Sequence, residues 1–309
     1  KVTKNKEIQK NKIKKKLKDF GNNNIDNKDL KKKNWFNIGG RSKVFYKADN
    51  LKELIKFLKL LNNEEKIFVI GAGSNILISD SLFDGVVIKL SKNFNRTSLL
   101  GEDVIISGSA VLDRNLSLFA EKNHLSGFEF LSCIPGSIGG GIRMNAGCFG
   151  KEFKDILLSI QAIDNNGNLI TIPAEKINFE YRNNDLPENL IFLSASFKGV
   201  KSSSSKIKHQ TDQMKAKKEK NQPTRIKTSG STFKNPINQT NKKVWELIRE
   251  SVPIDTKFGD AQISEKHSNF FVNKGNASFK DMKKLINHVS SEVLSKTGIR
   301  IDKEIKILE

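Results

Sequence analysis

"IPGSIGGGIRMNAGCFG", residues 134–150, places six glycines in seventeen positions. Glycine loses the most conformational freedom on folding. Such density therefore marks unusual dihedrals or a main chain that must lie against something. A sparser stretch, "VIGAGSN" at residues 69–75, carries an apolar run into Gly71, Ala72, Gly73, Ser74 and Asn75. Successive amides at such a strand exit can converge into an anion cradle. It is not the G-x-G-x-x-G dinucleotide fingerprint, because the third glycine and the immediate helix signal are missing. In the longer stretch Gly136, Ser137, Gly139, Gly140 and Gly141 can bring backbone amides against a phosphate or a planar ring. Two such segments could grip one extended diphosphate; a pair of plain turns is the alternative.

Outward from these stretches the pattern alternates. Phe45 and Tyr46 fit a strand, and Asp49 is placed to cap the helix in "LKELIKFLKLLNNEE", where Leu51, Leu54, Ile55, Leu58 and Leu61 share one face. "KIFV", "GVVIKL" and "DVIISG" read as strands and "LDRNLSLFAEKNHL" as an amphipathic helix. "LLSIQAIDNNGNLITI" is a hairpin signal around Asn-Gly, and "LIFLSASFKG" is another strand. "KSSSSK", residues 201–206, reads as a linker before a polar helix through Lys220. Beyond it come a helix near Lys243–Ser251, strands at "AQIS" and "NFFVN", and a helix from Phe279 to Lys296. Residues 1–33 read as a basic lead-in. Mixed helices and strands exclude a bundle or a β-sandwich.

The chain has 309 residues and a formal charge of +20. Residues 1–20 contribute +7 and residues 201–220 contribute +5, so most of the excess sits in two segments. The charge lacks interleaved aromatics and a binding motif, so no nucleic-acid partner is expected. No window approaches the ~18 apolar residues of a membrane span, and no secretory signal is visible. A cytoplasmic placement and a reduced state for Cys133 and Cys148 are expected. Cysteine and histidine spacings suggest no metal site.

"NWFNIGG", "GAGSNILISD", "GFEFLSCIPGSIGGGIRMNAGCFG", "FEYRNNDL", "SGSTFKNP" and "GDAQISEKHSNFFVN" occur in the order seen in the UDP-N-acetylenolpyruvoylglucosamine reductase family, which the chain resembles over residues 30–308. No long insertion follows "FEYR", as in the shorter of the family's two forms. The resemblance implies an α+β fold: an FAD-binding domain of the vanillyl-alcohol-oxidase type in two α+β subdomains, residues 34–90 and 91–200, then an α+β substrate-binding domain, residues 201–309. It implies that Gly71–Asn75 cradle the pyrophosphate and that the Gly136–Gly140 backbone lies along the flavin. Asn145 and Ala146 join that wall by analogy. Glycine is then needed because a Cβ would hold the main chain off the cofactor.

The implied reaction is FAD-mediated reduction of UDP-N-acetylglucosamine enolpyruvate by NADPH, giving the peptidoglycan precursor UDP-N-acetylmuramate. Hydride arrival leaves charge on a carbon beside a carboxylate, which calls for a cation and a proton donor. The family's residues match Arg182 as the cation, Ser231 as the donor and Glu304 as the acid completing the site. Lys234 and Asn235 are expected to help hold the substrate. On an alternating strand Asp302 and Glu304 would share a face. Cys133 stands where glycine is common, Asp260 replaces a usual glycine, and Trp35 stands where many members have Thr. The alternatives are a related flavoprotein with another substrate and a basic nucleic-acid-binding protein. Oligomeric state is not readable, and a monomer is compatible.

Overall fold

The computed structural model describes residues 24–223 and 226–309. The expected lead-in therefore lies outside the described residues over 1–23. Its remainder is structured. β1 (Asn24–Asp29) pairs antiparallel with β2 (Arg41–Ala48), ahead of the start expected at residue 34. "NIDNKD" has no apolar alternation, so only the ladder to β2 reveals the strand.

α1 (Leu51–Leu61) crosses from β2 to β3 (Ile67–Val69); β4 (Ile76–Ile78) and β5 (Phe83–Leu90) follow. The sheet order is β1-β2-β5-β3, with β2, β5 and β3 parallel. α1 buries Leu54, Phe57, Leu58 and Leu61. Its N-cap is Asn50 rather than the expected Asp49: Asn50 Oδ1 accepts from the Glu53 amide at 2.9 Å. Asp49 instead pairs with Lys92 at 2.7 Å.

The next unit contains β6 (Thr97–Leu100), β7 (Val104–Gly108), α2 (Asp113–Lys122) and β8 (Leu125–Ser126). A 3-10 turn (Glu129–Cys133) leads to α3 (Ile138–Arg143), then β9 (Gly147–Cys148) and β10 (Lys151–Glu152). β11 (Leu157–Ile163) and β12 (Leu169–Pro173) form the expected hairpin. Asp164 Oδ1 accepts the amides of Asn166 and Asn168, each at 2.9 Å, which fixes its turn. β13 (Phe179–Glu180), β14 (Asn183–Asn184), β15 (Ile191–Lys198) and β16 (Val200–Lys201) complete the unit. The main sheet, β12-β11-β15-β7-β6, is antiparallel throughout.

The expected linker at 201–206 is shorter than "KSSSSK" suggests. Ser203 caps α4 (Ser204–Asn221) by accepting from the Lys206 amide at 3.3 Å. Ser203 offers the side-chain oxygen a helix start needs, so a serine run serves as a cap. α5 (Val244–Ser251) is followed by β17 (Lys257–Phe258), β18 (Ala261–Ile263) and β19 (Phe271–Asn273), one antiparallel sheet. α6 (Phe279–Thr297) starts with a Ser278–Asp281 capping box and stops at left-handed Gly298.

The chain ends with β20 (Lys306–Leu308), which pairs parallel with β4. Leu308 packs with Leu30, Phe45, Ile76, Ile78 and Val87 of the first unit. Phe36 and Leu77 in turn enter the core of α5 and α6. The first unit is thus clamped against the last, and the cavity described below opens along that seam.

Candidate active site

A cavity of about 1100 Å³ is lined by Gly71–Asn75, Gly136, Ser137, Gly140, Ala146, Arg182, Ser231 and Glu304. That is slightly above the roughly 300–1,000 Å³ of small-ligand sites, room for an extended ligand. A smaller adjoining cleft is lined by Gly71, Ala72, Ser109, Gly139, Gly140 and Arg143. The two glycine segments touch: a Cβ on Gly71 would sit 2.4 Å from Ser137 Oγ.

None of the five amides from Gly71 to Asn75 donates to an acceptor among the described residues. They leave a donor-rich bend at the exit of β3, the chemistry of a diphosphate cradle. Gly73 has φ +70°, and a Cβ there would strike the Lys33 carbonyl at 2.2 Å, so only glycine fits. Lys89 Nζ, its pKa lowered by burial and then by Lys33, donates to the Gly71 carbonyl at 2.7 Å behind the bend.

The longer glycine stretch is not a loop throughout, because Gly139–Gly141 lie in α3. Nor does a cofactor account for all its glycines. A Cβ on Gly136 would approach Asp113 Oδ2 to 2.7 Å, one on Gly139 Ser109 Cβ to 3.0 Å, and one on Gly141 the Phe153 ring to 2.2 Å. At these positions the protein's own side chains crowd the space a Cβ would take, most severely at Gly141. Gly140 differs: its Cβ would meet only Ser137 Oγ at 3.6 Å, and it lines both hollows. These residues fit an extended dinucleotide such as FAD.

Arg182 occupies the two-residue turn between β13 and β14 with φ +55°, an uncommon conformation for a side chain of its size. Its Nε donates to Glu304 Oε1 at 3.3 Å, Nη1 to Glu152 Oε1 at 3.4 Å, and Nη2 to the Gly147 carbonyl at 2.8 Å. The guanidinium also lies over the Tyr181 ring, 4.9 Å from its centroid. Glu304 is not on a regular strand: β20 begins at Lys306. Asp302 is exposed beside Arg300 whereas the Glu304 side chain is only 13% exposed, so the two acids do not share a face. The bridge from Phe233 to Lys303 and the bond from the Glu304 amide to the Thr232 carbonyl reset the alternation. Burial raises the Glu304 pKa; the Arg182 charge and hydrogen bond and Lys234 pull the other way.

Two serines compete in "SGSTF". Ser229 is buried and donates to the Ile76 carbonyl at 3.1 Å, so its hydroxyl is engaged. Ser231 follows Gly230, whose φ of +74° turns the chain, and lines the cavity with no side-chain bond to the described residues. Asn269 positions this segment by accepting from the Phe233 amide at 3.0 Å and donating to the Phe233 carbonyl at 2.9 Å.

Gly139 lines only the smaller cleft, and three expected site residues line neither hollow. Asn145 is fully buried; its side chain donates to Glu152 and the Glu180 carbonyl and accepts from the Lys154 amide. Asn235 Oδ1 accepts from the Val244 amide at 2.9 Å while its Nδ2 donates to Tyr181 Oη at 3.3 Å. The Lys234 amide donates to the Asp302 carbonyl, and its charge reaches Glu304. Sequence reasoning missed Glu152, whose partner Arg182 is thirty positions away, and Arg143, which lines both hollows and donates to the Leu190 carbonyl at 2.6 Å.

Residues 42–173 match the model of an FAD binding domain, and residues 222–308 match the model described as UDP-N-acetylenolpyruvoylglucosamine reductase, C-terminal domain. The protein named UDP-N-acetylenolpyruvoylglucosamine reductase in Pelagibacter ubique is 65% identical over 281 residues, 91% of this chain and 93% of that protein. Its namesake in Rickettsia typhi is 43% identical, covering 90% of this chain and 92% of that relative. The crystal structure of the Thermus caldophilus reductase superposes with a TM-score of 0.80 at 29% identity, over 93% of this chain and 98% of that one. The matches run over nine-tenths or more of each chain, and the chain belongs to the UDP-N-acetylenolpyruvoylglucosamine reductase family of FAD-dependent oxidoreductases.

Proposed function

We propose that the protein reduces UDP-N-acetylglucosamine enolpyruvate to UDP-N-acetylmuramate, with NADPH as hydride source, in cytoplasmic assembly of peptidoglycan precursors. The observation that carries this reading is the meeting of Arg182, Ser231 and Glu304 on one cavity that the Gly71–Asn75 bend also lines. FAD bound there supplies hydride transfer to the vinyl carbon of the substrate. Residues 34–90 and 91–200 act as its two binding subdomains and 201–309 as the substrate-binding domain.

Arg182 receives the substrate carboxylate, its planar fork strengthening as charge moves onto the oxygens. Tyr181 and Glu152 hold that fork in place. Ser231, unengaged and facing the cavity, gives its proton to the carbon left electron-rich. Glu304 is the acid beside Arg182, its pKa raised by burial against the pull of the Arg182 charge. Lys234 and Asn235 act at one remove, through Glu304 and Tyr181. Asn145 holds Glu152 rather than touching the cofactor.

Stopped-flow absorbance separates the half-reactions. Ser231→Ala should leave flavin bleaching by NADPH within about twofold of wild type. It should slow recolouring by the enolpyruvyl substrate by roughly 10²–10⁴, the range of general acid catalysis. Equal losses in both steps would remove Ser231 from the proton-donor role.

A further inference from the structure

The cavity wall holds two thiols that the proposed chemistry leaves unused. Cys133 ends the 3-10 turn before the glycine-rich stretch, and Cys148 ends β9. Both are free, both line the large cavity, and their side chains hydrogen-bond each other. α4 covers the pair: the Lys218 ammonium donates to the Cys133 carbonyl, and Lys217 lies over the Phe149 ring, 5.7 Å from its centroid. Ser132 Oγ lies 3.6 Å from Cys133 Sγ. The hydrogen bond from Cys148 lowers the Cys133 pKa, helped by Ser132, Lys218 and Lys215 against burial. The same bond, with burial, keeps the proton on Cys148. One thiol is thus poised as a nucleophile with the other as its neighbour, the arrangement of peroxide-sensitive cysteine pairs.

We propose that Cys133 and Cys148 are a peroxide-oxidisable dithiol whose disulfide staples the cavity wall beside Arg182. The Cys133 thiolate attacks hydrogen peroxide; an S–O bond forms, the O–O bond breaks, and hydroxide leaves to be protonated to water. Cys148 sulfur then attacks the sulfenic sulfur; the S–S bond forms, the S–O bond breaks, and hydroxide leaves with the Cys148 proton as a second water. Two thiols lose two electrons and two protons, and one peroxide becomes two waters. A dithiol reductant reverses the change by exchange.

The staple would join two elements that meet at the site. Cys148 follows Gly147, whose carbonyl accepts from Arg182, and β9 pairs with the Glu152 strand. Cys133 precedes the Gly136–Ser137 wall. The thiol chemistry itself does not depend on the catalytic role proposed for Arg182.

The test treats flavin-loaded protein with hydrogen peroxide, alkylates remaining thiols in denaturant, and measures intact mass and peptide maps. The expected result is loss of both thiols, a mass lower by two hydrogens, a Cys133–Cys148 cross-linked peptide, and recovery with dithiothreitol. Cys148→Ser should instead gain oxygen on Cys133, and Cys133→Ser should keep its remaining thiol. Wild-type protein that keeps both thiols at a peroxide dose that oxidises free glutathione would overturn the proposal. So would a disulfide between two chains, or sulfinic acid in place of the internal bond.

Discussion

Arg182 shows how much one side chain depends on distant sequence. Its three acceptors come from β9, β10 and the residue just ahead of β20, and its own φ is left-handed. A lysine's compact ammonium lacks the planar fork whose three nitrogens reach these acceptors in different directions. On the proposed role, Arg182→Lys should lower the rate of flavin reoxidation by substrate roughly 10²–10³-fold, the cost of losing one preorganised charge-stabilising donor. Flavin reduction by NADPH is the control. Glu304 gives a pH signature. Because burial raises its pKa, the carboxyl keeps its proton above the ordinary Glu range and releases it as pH rises further. Turnover that needs the protonated acid should therefore fall on the alkaline side, and Glu304→Gln should flatten that limb. An alkaline limb unchanged in the variant would assign it to another group.

At the scale of elements, α2 starts with a carboxyl that has no partner among the described residues. Asp113 is fully buried, neither Oδ atom finds a hydrogen bond there, and burial raises its pKa well above 3.8. The folded chain thus holds this proton where the unfolded chain has released it. The sign is set: stability declines as pH climbs above the ordinary Asp range and levels off only past the folded pKa. Asp113→Asn keeps shape and removes the charge, so its Tm gain should be larger in mildly alkaline than in mildly acidic buffer. Parallel Tm curves for the two proteins would show that the buried carboxyl is not the cause.

The elements also show what sequence could and could not convey. α1, α6 and the β11/β12 hairpin were legible because apolar spacing, capping residues and Asn-Gly are local signals. β1 was not, since a polar strand owes its existence to β2. Part of the glycine-dense stretch lines the cavity, yet Gly139 and Gly141 answer to Ser109 and Phe153, side chains no local window contains. Arg182, Ser231 and Glu304 were singled out through family resemblance. Glu152 stands in the same wall, but its meaning appears only when β10 folds against the Arg182 turn.

Across the whole molecule, the C-terminal strand carries the argument that the last unit shapes the cofactor site of the first. The Lys306 amide donates to the Asn75 carbonyl at 3.1 Å, the Ser79 amide to the Leu308 carbonyl at 2.8 Å, and Asn75 Nδ2 to the Glu304 carbonyl at 3.1 Å. The Gly71–Asn75 bend is therefore anchored by residues some 230 positions away. Leu308 drives that contact by burying its side chain among Leu30, Phe45, Ile76 and Val87. Leu308→Ala should cost about 2–5 kcal/mol, the usual range for such a truncation, and should also weaken FAD, because loosening β20 frees Asn75. Ile248→Ala provides the comparison. Ile248 is fully buried on α5 and makes none of the hydrogen bonds that tie the chain's end to Asn75 and Ser79, so its truncation should cost similar stability with FAD affinity unchanged. Thermal melts with and without added FAD, plus a flavin-fluorescence titration of each apoprotein, separate the two effects. Equal FAD affinity in both variants would mean that β20 closes the core without setting the bend.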